Sequence, residues 1–372
     1  MRLYILFTLI FTSFSLFSQL LETPRKVLMV VSSYGEGSGE IRPGYEMDEF
    51  SQAYLIFKNN GLTVDIASPK GEKVVADQYN PDKDYNQALL EDKTIQNQLE
   101  NTLPTAGIDP QEYAAIYIVG GKGAMFDLPY DPSLQDILLS MYLREGMVIS
   151  SICHGPAVLA QVKNGEDYII KDVEITGFTN QEEDLFGKKW VKEFPFQLED
   201  KLKSRGAIFT QADFMLAHVA VSGKFITGQN PFSTARSAEE VVKAMGIAPV
   251  ERKLYADEKS IYLIKEVLNG EKSLEIAANE LKEGNETFDM PLIAIYGYYK
   301  VLASGEDQEA MRKGVELIEL STPYFFDENL QFVLAKTYIT LDEKKKARQV
   351  LKELIKRELL VEQSQQLMLD LS

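Results

Sequence analysis

The sequence predicts an α/β domain with a mostly parallel sheet and helices on both faces, followed by a smaller all-helical domain. Three observations carry this. Short β-rich runs alternate with helical patterns from about residue 25 to 246. The strand-like runs are apolar along their whole length rather than at alternate residues, as strands covered on both faces are. From residue 251 onward the alternation stops, and only helix-length segments separated by breaks remain.

Taken in order, "RKVLMVVS" and "LTVDIASP" read as strands, and "YEMDEFSQAYLIFKNNG" between them as a helix ending at Gly61. "YAAIYIVGG" is a third strand, "SLQDILLSMYLREG" a helix and "MVISSI" a fourth strand. "GPAVLAQVKNG" predicts a helix with Pro156 in its first turn and its end at Gly165. Short strands in "GAIFT", "FMLAHVAVSG" and "KFITG" precede a helix in "STARSAEEVVKAMG", and the domain closes between Gly246 and Val250. Beyond it, "NGE", "EGNETFD", "SGED", "STPYFFDE" and "LDEK" separate further helices. Ala335, Tyr338, Ala347 and Leu351 fall at the small and aromatic spacings of a tetratricopeptide helix pair. The earlier pairs depart from that pattern. Residues 251–372 therefore read either as a tetratricopeptide-like domain or as a plain helical bundle on the first domain. Repeat surfaces commonly bind proteins, so a protein partner through these helices is an open expectation with nothing to name it.

With 372 residues, 45% of them hydrophobic, the chain can bury the cores of two domains. Its 39 basic against 56 acidic residues give a net charge of −17, which repels phosphate backbones and anionic lipid. Nucleic-acid binding and peripheral membrane binding are not expected on that ground. The single cysteine excludes an internal disulfide, and two histidines are too few for a typical zinc site, so no metal is expected. The N-terminal "MRLYILFTLIFTSFSLFSQ" has the pattern of a signal peptide over residues 1–18. A membrane anchor is the alternative, but the apolar run is short of the roughly 20 residues a span needs and is broken by hydroxyls. Export to a periplasmic or extracellular space is the expectation. There an unpaired thiol is exposed to oxidation, and its retention hints at use.

The chemistry-bearing residues fall where strands end. In such sheets, ligands sit beyond the carboxyl ends of the strands. Cys153 follows "MVISSI" and precedes the predicted helix, so its sulfur is expected on a tight turn, as in a nucleophile elbow. A helix N-terminus there would lower the thiol's pKa and favour the attacking thiolate. Gly120 and Gly121 follow the third strand, where backbone N–H groups could face a developing oxyanion. Glu49 lies early in the first helix, within reach of the same sheet edge. Each feature alone has a structural explanation; their convergence with the one cysteine points to a site. Adjacent residues on a turn generally point apart, so His154 need not be the base for Cys153, and a carboxylate from elsewhere is required.

"SICHGPAVL", "IVGGKGAMFDLP", "ITGFTNQEEDLFG" and "FITGQNPFSTA" resemble the PfpI-type, class I glutamine amidotransferase-like superfamily. More closely, with "DEFSQAYLIFKNNGLTVDIASPKG", they are similar to its branch of glutathione-independent glyoxalases (glyoxalase III) and holdase chaperones. The resemblance covers residues 25–246 and implies a flavodoxin-like sheet. By the resemblance, Cys153 is the nucleophile, His154 its catalytic neighbour and Glu49 the acid that contacts the thiol. Glu183 partners the histidine, with Glu182 the alternative if the register is off by one. Gly121 and the His154 amide would form the oxyanion hole, and Asp127 and Pro129 are structural. Lys122 stands where the branch commonly has histidine, and could bind an anionic group. "YGEGSGEIRPGY" is longer than the expected glycine loop, and "PDKDYNQALLEDKTIQNQLENTL" resembles a capping insertion over the site. The implied activity is a cofactor-independent lyase converting methylglyoxal, or a related small aldehyde, to D-lactate. Glu49 and His154 are its candidate proton carriers. A cysteine hydrolase (amidase, peptidase or protein deglycase) and a non-catalytic holdase are the alternatives. Relatives of this kind often dimerise, so a homodimer is part of the expectation.

Overall fold

The computed structural model describes residues 25–35, 42–187 and 190–371. The stretch expected to be a signal peptide lies outside them, as does much of the long glycine loop. Among the described residues no helix is long and apolar enough to cross a membrane.

The seven strands of the main sheet are β1 (Lys26–Val30), β2 (Thr63–Ser68), β3 (Leu103–Pro104), β4 (Ala115–Ile118), β5 (Val148–Ile152), β6 (Val219–Ser222) and β7 (Phe225–Gly228). They lie in the order β6-β7-β5-β4-β1-β2-β3, all parallel except the β6–β7 hairpin. Chain direction across the sheet reverses between β1 and β4, the position at which such sheets open a crevice. Val27 to Val30, Ala115 to Ile118 and Ile149 are wholly buried, which accounts for runs that are apolar throughout.

Helix α1 (Met47–Asn59) carries Asp48 and Glu49 in its first turn and Lys58 in its last, matching the helix dipole. It stops at Gly61, whose φ of 72° lets Leu62 N–H turn back to the Phe57 carbonyl at 3.1 Å. It lies beside α7 (Thr234–Ala244) on one face, while α4 (Pro132–Leu143) packs on β5 from the other through Leu134, Leu138 and Met141. Between β2 and β3, α2 (Asp84–Glu91) lies on α1, where Ser51 donates to Asn86 at 2.8 Å, and α3 (Lys93–Glu100) follows against α2 and β2. After β5 come α5 (Asn180–Phe186) and α6 (Leu198–Ser204).

Two predicted elements differ. The helix expected over residues 155–165 is instead two 3-10 turns, Gly155–Ala157 and Leu159–Gln161. The cause is clearance: a Cβ on Gly155 would lie 2.5 Å from the Ile118 carbonyl, so the chain is pressed onto β4. The narrower turn fits where an α-helix does not. The strand in "GAIFT" shrinks to Ile208–Phe209, which pairs with Glu174–Ile175 outside the main sheet.

The C-terminal region is helical throughout: α8 (Ala256–Leu268), α9 (Leu274–Gly284), α10 (Met290–Ala303), α11 (Gln308–Ser321), α12 (Glu328–Thr340), α13 (Lys344–Lys356) and α14 (Val361–Asp370). The breaks from α8 to α13 fall where the sequence placed them, and a further one, between α13 and α14, carries no break signal in the sequence reading. Ser273, Asp289, Asp307 and Asp327 cap their helices with side-chain oxygens. Ala335 and Tyr338 of α12 pack with Ala347 and Leu351 of α13 in one buried cluster. A second cluster joins Ile261, Ile264, Ile293 and Tyr296 to Phe214–Ala217 of the α/β domain. Arg252 adds a polar tie, with two bonds of 2.8 and 2.9 Å to Glu258 and one of 2.8 Å to Glu239.

Helices α10 and α11 cross through glycines. A Cβ on Gly314 would meet the Gly297 carbonyl at 2.8 Å, a backbone atom that cannot swing aside. Gly314→Ala is therefore expected to cost about 1–3 kcal/mol of overpacking, read as a lower urea midpoint. Gly107→Ala, where the nearest atom is Pro104 Cγ at 3.7 Å, should leave the midpoint unchanged.

Candidate active site

Strands β4 and β5 run parallel with Ile118 opposite Ser151, so their carboxyl ends bring Gly120 beside Cys153. The contact leaves no room: a Cβ on Gly120 would lie 2.8 Å from Cys153 Cβ and 2.8 Å from Glu49 Oε2. Cys153 is held at φ 56°, in the left-handed region that a β-carbon disfavours. Both of its backbone groups are engaged: the N–H donates to Gly228 at 2.9 Å, and the carbonyl accepts from Phe178 at 2.9 Å.

That conformation folds the neighbouring side chain back. His154 Nδ1 lies 3.3 Å from Cys153 Sγ, so the two adjacent residues are in direct contact. On its other side His154 Nε2 lies 2.7 Å from Glu183 Oε1, with both side chains 2% exposed. Phe178 and Phe194 hold the imidazole ring, at centroid distances of 4.7 and 5.6 Å.

Helix α5 decides which of two adjacent carboxylates serves. Thr179 caps it; Glu182 N–H donates to Thr179 Oγ1 at 3.1 Å and Thr179 N–H to Glu182 Oε2 at 3.1 Å. Glu182 Oε1 then accepts from Asn230 at 2.8 Å and from Met215 N–H at 2.9 Å. Glu182 is thus consumed as a capping and bracing residue, and Glu183, about 100° further round the helix, meets His154.

Glu49 is wholly buried, and its Oε2 accepts the Gly120 N–H at 2.7 Å. Burial first, and then the nearby charge of Glu46, push its pKa well above the ordinary carboxylate value; the neighbouring Cys153 thiol and the Gly120 N–H oppose this without reversing it. Burial likewise raises the Cys153 thiol, with the Glu49 charge the next cause. The expectation of a thiol acidified by a helix N-terminus is therefore corrected. No helix follows Cys153, only a short turn, and its nearest carboxyl favours the protonated sulfur. A proton on Glu49 removes that repulsion.

Gly120 does not belong to an oxyanion hole, because its amide is committed to Glu49. Gly121, at φ 91°, has space only for hydrogen: a Cβ would meet Glu46 N at 2.4 Å. The Gly121 and His154 amides donate to no backbone carbonyl among the described residues. Asp127 accepts from Ser32 Oγ at 2.8 Å and Ser33 N–H at 2.7 Å, tying the end of β1 to the glycine loop, while Pro129 is buried in the turn that follows.

A cavity of about 250 Å³ opens onto the sulfur. Lys122 and Glu46 line it together with Cys153 and His154, and an apolar wall is formed by Phe178, Phe186, Met215 and Phe232. None of residues 81–103 lines it, so the expected cap is not over the site. Those residues lie on α1 instead and meet the helical domain: Tyr85 Oη donates to Asp257 at 2.6 Å. Sequence reasoning missed Glu46 and the apolar wall. Glu46 was within reach, since it precedes Glu49 by one helical turn. Met215, at φ 58°, carried no signal.

Two measurements check this electrostatics. Glu49→Gln removes the charge that raises the thiol, so iodoacetamide alkylation of Cys153 is expected to reach half its maximal rate at a lower pH. An unchanged profile would show that Glu49 carries no charge where the thiol ionises. Burial, Asp48 and Asp77 push Glu46 from 4.5 up to about 8, against Lys122. A raised folded pKa contributes stability below pH 4.5 that is lost as pH rises through about 8. Glu46→Gln should flatten the fall in urea midpoint across that window.

Residues 41–244 match the model of the DJ-1/PfpI family. Among curated relatives, the chain is 30% identical to glyoxalase 3 of Candida albicans over 234 residues, covering 59% of this chain and 98% of that one. It is 29% identical to a glutathione-independent glyoxalase of Schizosaccharomyces pombe, with the same shares covered. Among solved structures, the rapid encystment protein of Francisella tularensis matches with a TM-score of 0.55 at 31% identity, over 59% of this chain and 98% of that chain. Glyoxalase III of Candida albicans matches with a TM-score of 0.54 at 26% identity, over 59% and 96%. The family match spans more than half the chain and falls on the strands and turns that build the cysteine site; the chain belongs to the DJ-1/PfpI family.

Proposed function

We propose that the protein is a glutathione-independent glyoxalase, turning methylglyoxal and water into lactate with Cys153 as nucleophile. The observation that carries this reading is the continuous line from Cys153 Sγ to His154 Nδ1, 3.3 Å, and from His154 Nε2 to Glu183, 2.7 Å, with a protonation-prone Glu49 beside the sulfur. The sulfur attacks the aldehyde carbon while His154 takes the thiol proton and passes it to the new oxygen, giving a hemithioacetal. The Gly121 and His154 amides face the charge that develops there. His154, steadied by Glu183, then removes the proton from that carbon and delivers it to the neighbouring one through an enediol. Glu49, holding its proton, hydrogen-bonds the sulfur. Water cleaves the resulting thioester and restores the thiol. One carbon is oxidised and its neighbour reduced, so no outside redox partner is needed.

A second reading has its own support. The Glu183–His154–Cys153 relay with two free amides is also the arrangement of an acyl-transferring hydrolase. The relatives named as glyoxalases favour the first.

The test is D-lactate formation from methylglyoxal by the purified full chain without glutathione. Cys153→Ser is expected to abolish it, and Glu183→Gln to lower kcat at least about ten-fold. Amine release from amide substrates, lost in Cys153→Ser and unaccompanied by lactate, would give the hydrolase instead.

A further inference from the structure

The far wall of the cavity bears on the choice of substrate. Phe178, Phe186, Met215, Pro231 and Phe232 form it, and the polar groups among them are already spent. Asn230 donates to Glu182 at 2.8 Å and to the Leu216 carbonyl at 3.0 Å, and its own oxygen accepts from Ser233 at 3.1 Å. Glu182 is saturated by Thr179, Met215 and Asn230. A substrate group reaching this wall thus finds apolar surface and no hydrogen-bonding partner. The remaining charges, Lys122 and Glu46, stand at the glycine-loop side and are of opposite sign. The cavity, at about 250 Å³, is also larger than a methyl-bearing aldehyde requires, when a water-sized group takes about 30 Å³.

The helical domain sets that wall. Phe186 and Phe232 pack against the cluster of Ile261, Ile264, Ile293 and Tyr296, to which Met215 also belongs. Phe186 stands edge-on to Tyr299 of α10 at 4.7 Å. Phe214, next to Met215, stacks on Tyr296 at 5.2 Å, and Lys300 forms an ion pair with Asp213. Relatives matched over 98% of their length align with only 59% of this chain. The backing of the wall therefore comes from a part of the chain that they do not match.

We infer that the protein acts on α-oxoaldehydes bearing a bulky apolar group, aromatic or branched, with Phe186 as the specificity-determining residue and Tyr299 of the helical domain as its positioning residue. This rests on the glyoxalase reading. The apolar group lies against Phe186 and Phe232 while the aldehyde carbon meets the sulfur; the chemistry is unchanged, so phenylglyoxal and water give mandelate with the same internal transfer of hydrogen.

The experiment compares kcat/KM for phenylglyoxal and methylglyoxal on the full chain. Phenylglyoxal is expected to be favoured by about ten-fold or more. Phe186→Ala should shrink that ratio at least about five-fold, Phe186→Leu should recover part of it, and Tyr299→Ala should shift it in the same direction by less. Equal use of both aldehydes, or preference for methylglyoxal or for an α-oxoaldehyde with a terminal carboxylate, overturns the inference and leaves the glyoxalase reading standing. A phenylglyoxal preference that survives Phe186→Ala overturns the role given to Phe186. Turnover of none of them overturns both readings.

Discussion

The site depends on the left-handed turn at Cys153. A residue with a β-carbon resists that conformation by roughly 1–2 kcal/mol, and it persists only where its surroundings leave no alternative. Here they do so from both sides. The N–H is held by β7 through Gly228, the carbonyl by Phe178, and the approach of Gly120 forbids any outward relaxation. Relaxing the turn would separate sulfur from imidazole and free the loop that carries Phe178 against the ring. Backbone strain and side-chain chemistry are thus one feature, with the sheet edge supplying the restraint.

Around this centre the chain buries several carboxyl groups in a small volume, each with a distinct donor on at least one oxygen, while Glu49 Oε1 and Glu183 Oε2 are left without a partner among the described residues. Glu49 takes an amide, Glu183 an imidazole, Glu182 an amide side chain and a helix cap, and Asp127 a serine and an amide. A buried carboxyl left without partners carries a large desolvation cost, which is why each has an assigned donor. The helical domain joins the same arrangement from outside. Asp257 accepts from Tyr85 and from Lys83 at 3.2 Å, and Lys83 reaches Asp48 at 2.7 Å, one residue before Glu49. Together with the Lys300–Asp213 pair, this grips the α/β domain at two separated places, on the catalytic helix and behind the pocket wall.

Much of this was legible from residue order. Strand runs that are apolar throughout, Gly61, and the breaks between the helices from α8 to α13 each act locally, and the structure uses them as read. Cys153, His154, Glu49 and Glu183 do converge. What could not be read depended on through-space clearance. Gly155 against Ile118 converts a helix into tight turns, and residues 81–103 settle on α1 rather than over the cavity. The thiol's environment followed from the same failure, since its electrostatics were inferred from a helix that is absent. Phe186 and Phe232 were unreadable as pocket residues because their backing comes from a distant part of the chain.

The neighbouring pair Glu182–Glu183 has an evolutionary corollary. Two identical side chains at consecutive positions serve unlike ends, one locked into the architecture and one turned to the imidazole, and only their phase relative to Thr179 tells them apart. Chemical identity is degenerate there, whereas length is not. Losing one residue between Thr179 and Glu183 would put Glu183 into the capping position and Asp184 towards the imidazole, and gaining one would turn Glu182 to the imidazole and leave the cap without its carboxylate. Divergence in this segment should accordingly proceed by substitution, with insertions and deletions confined to the chain beyond α5.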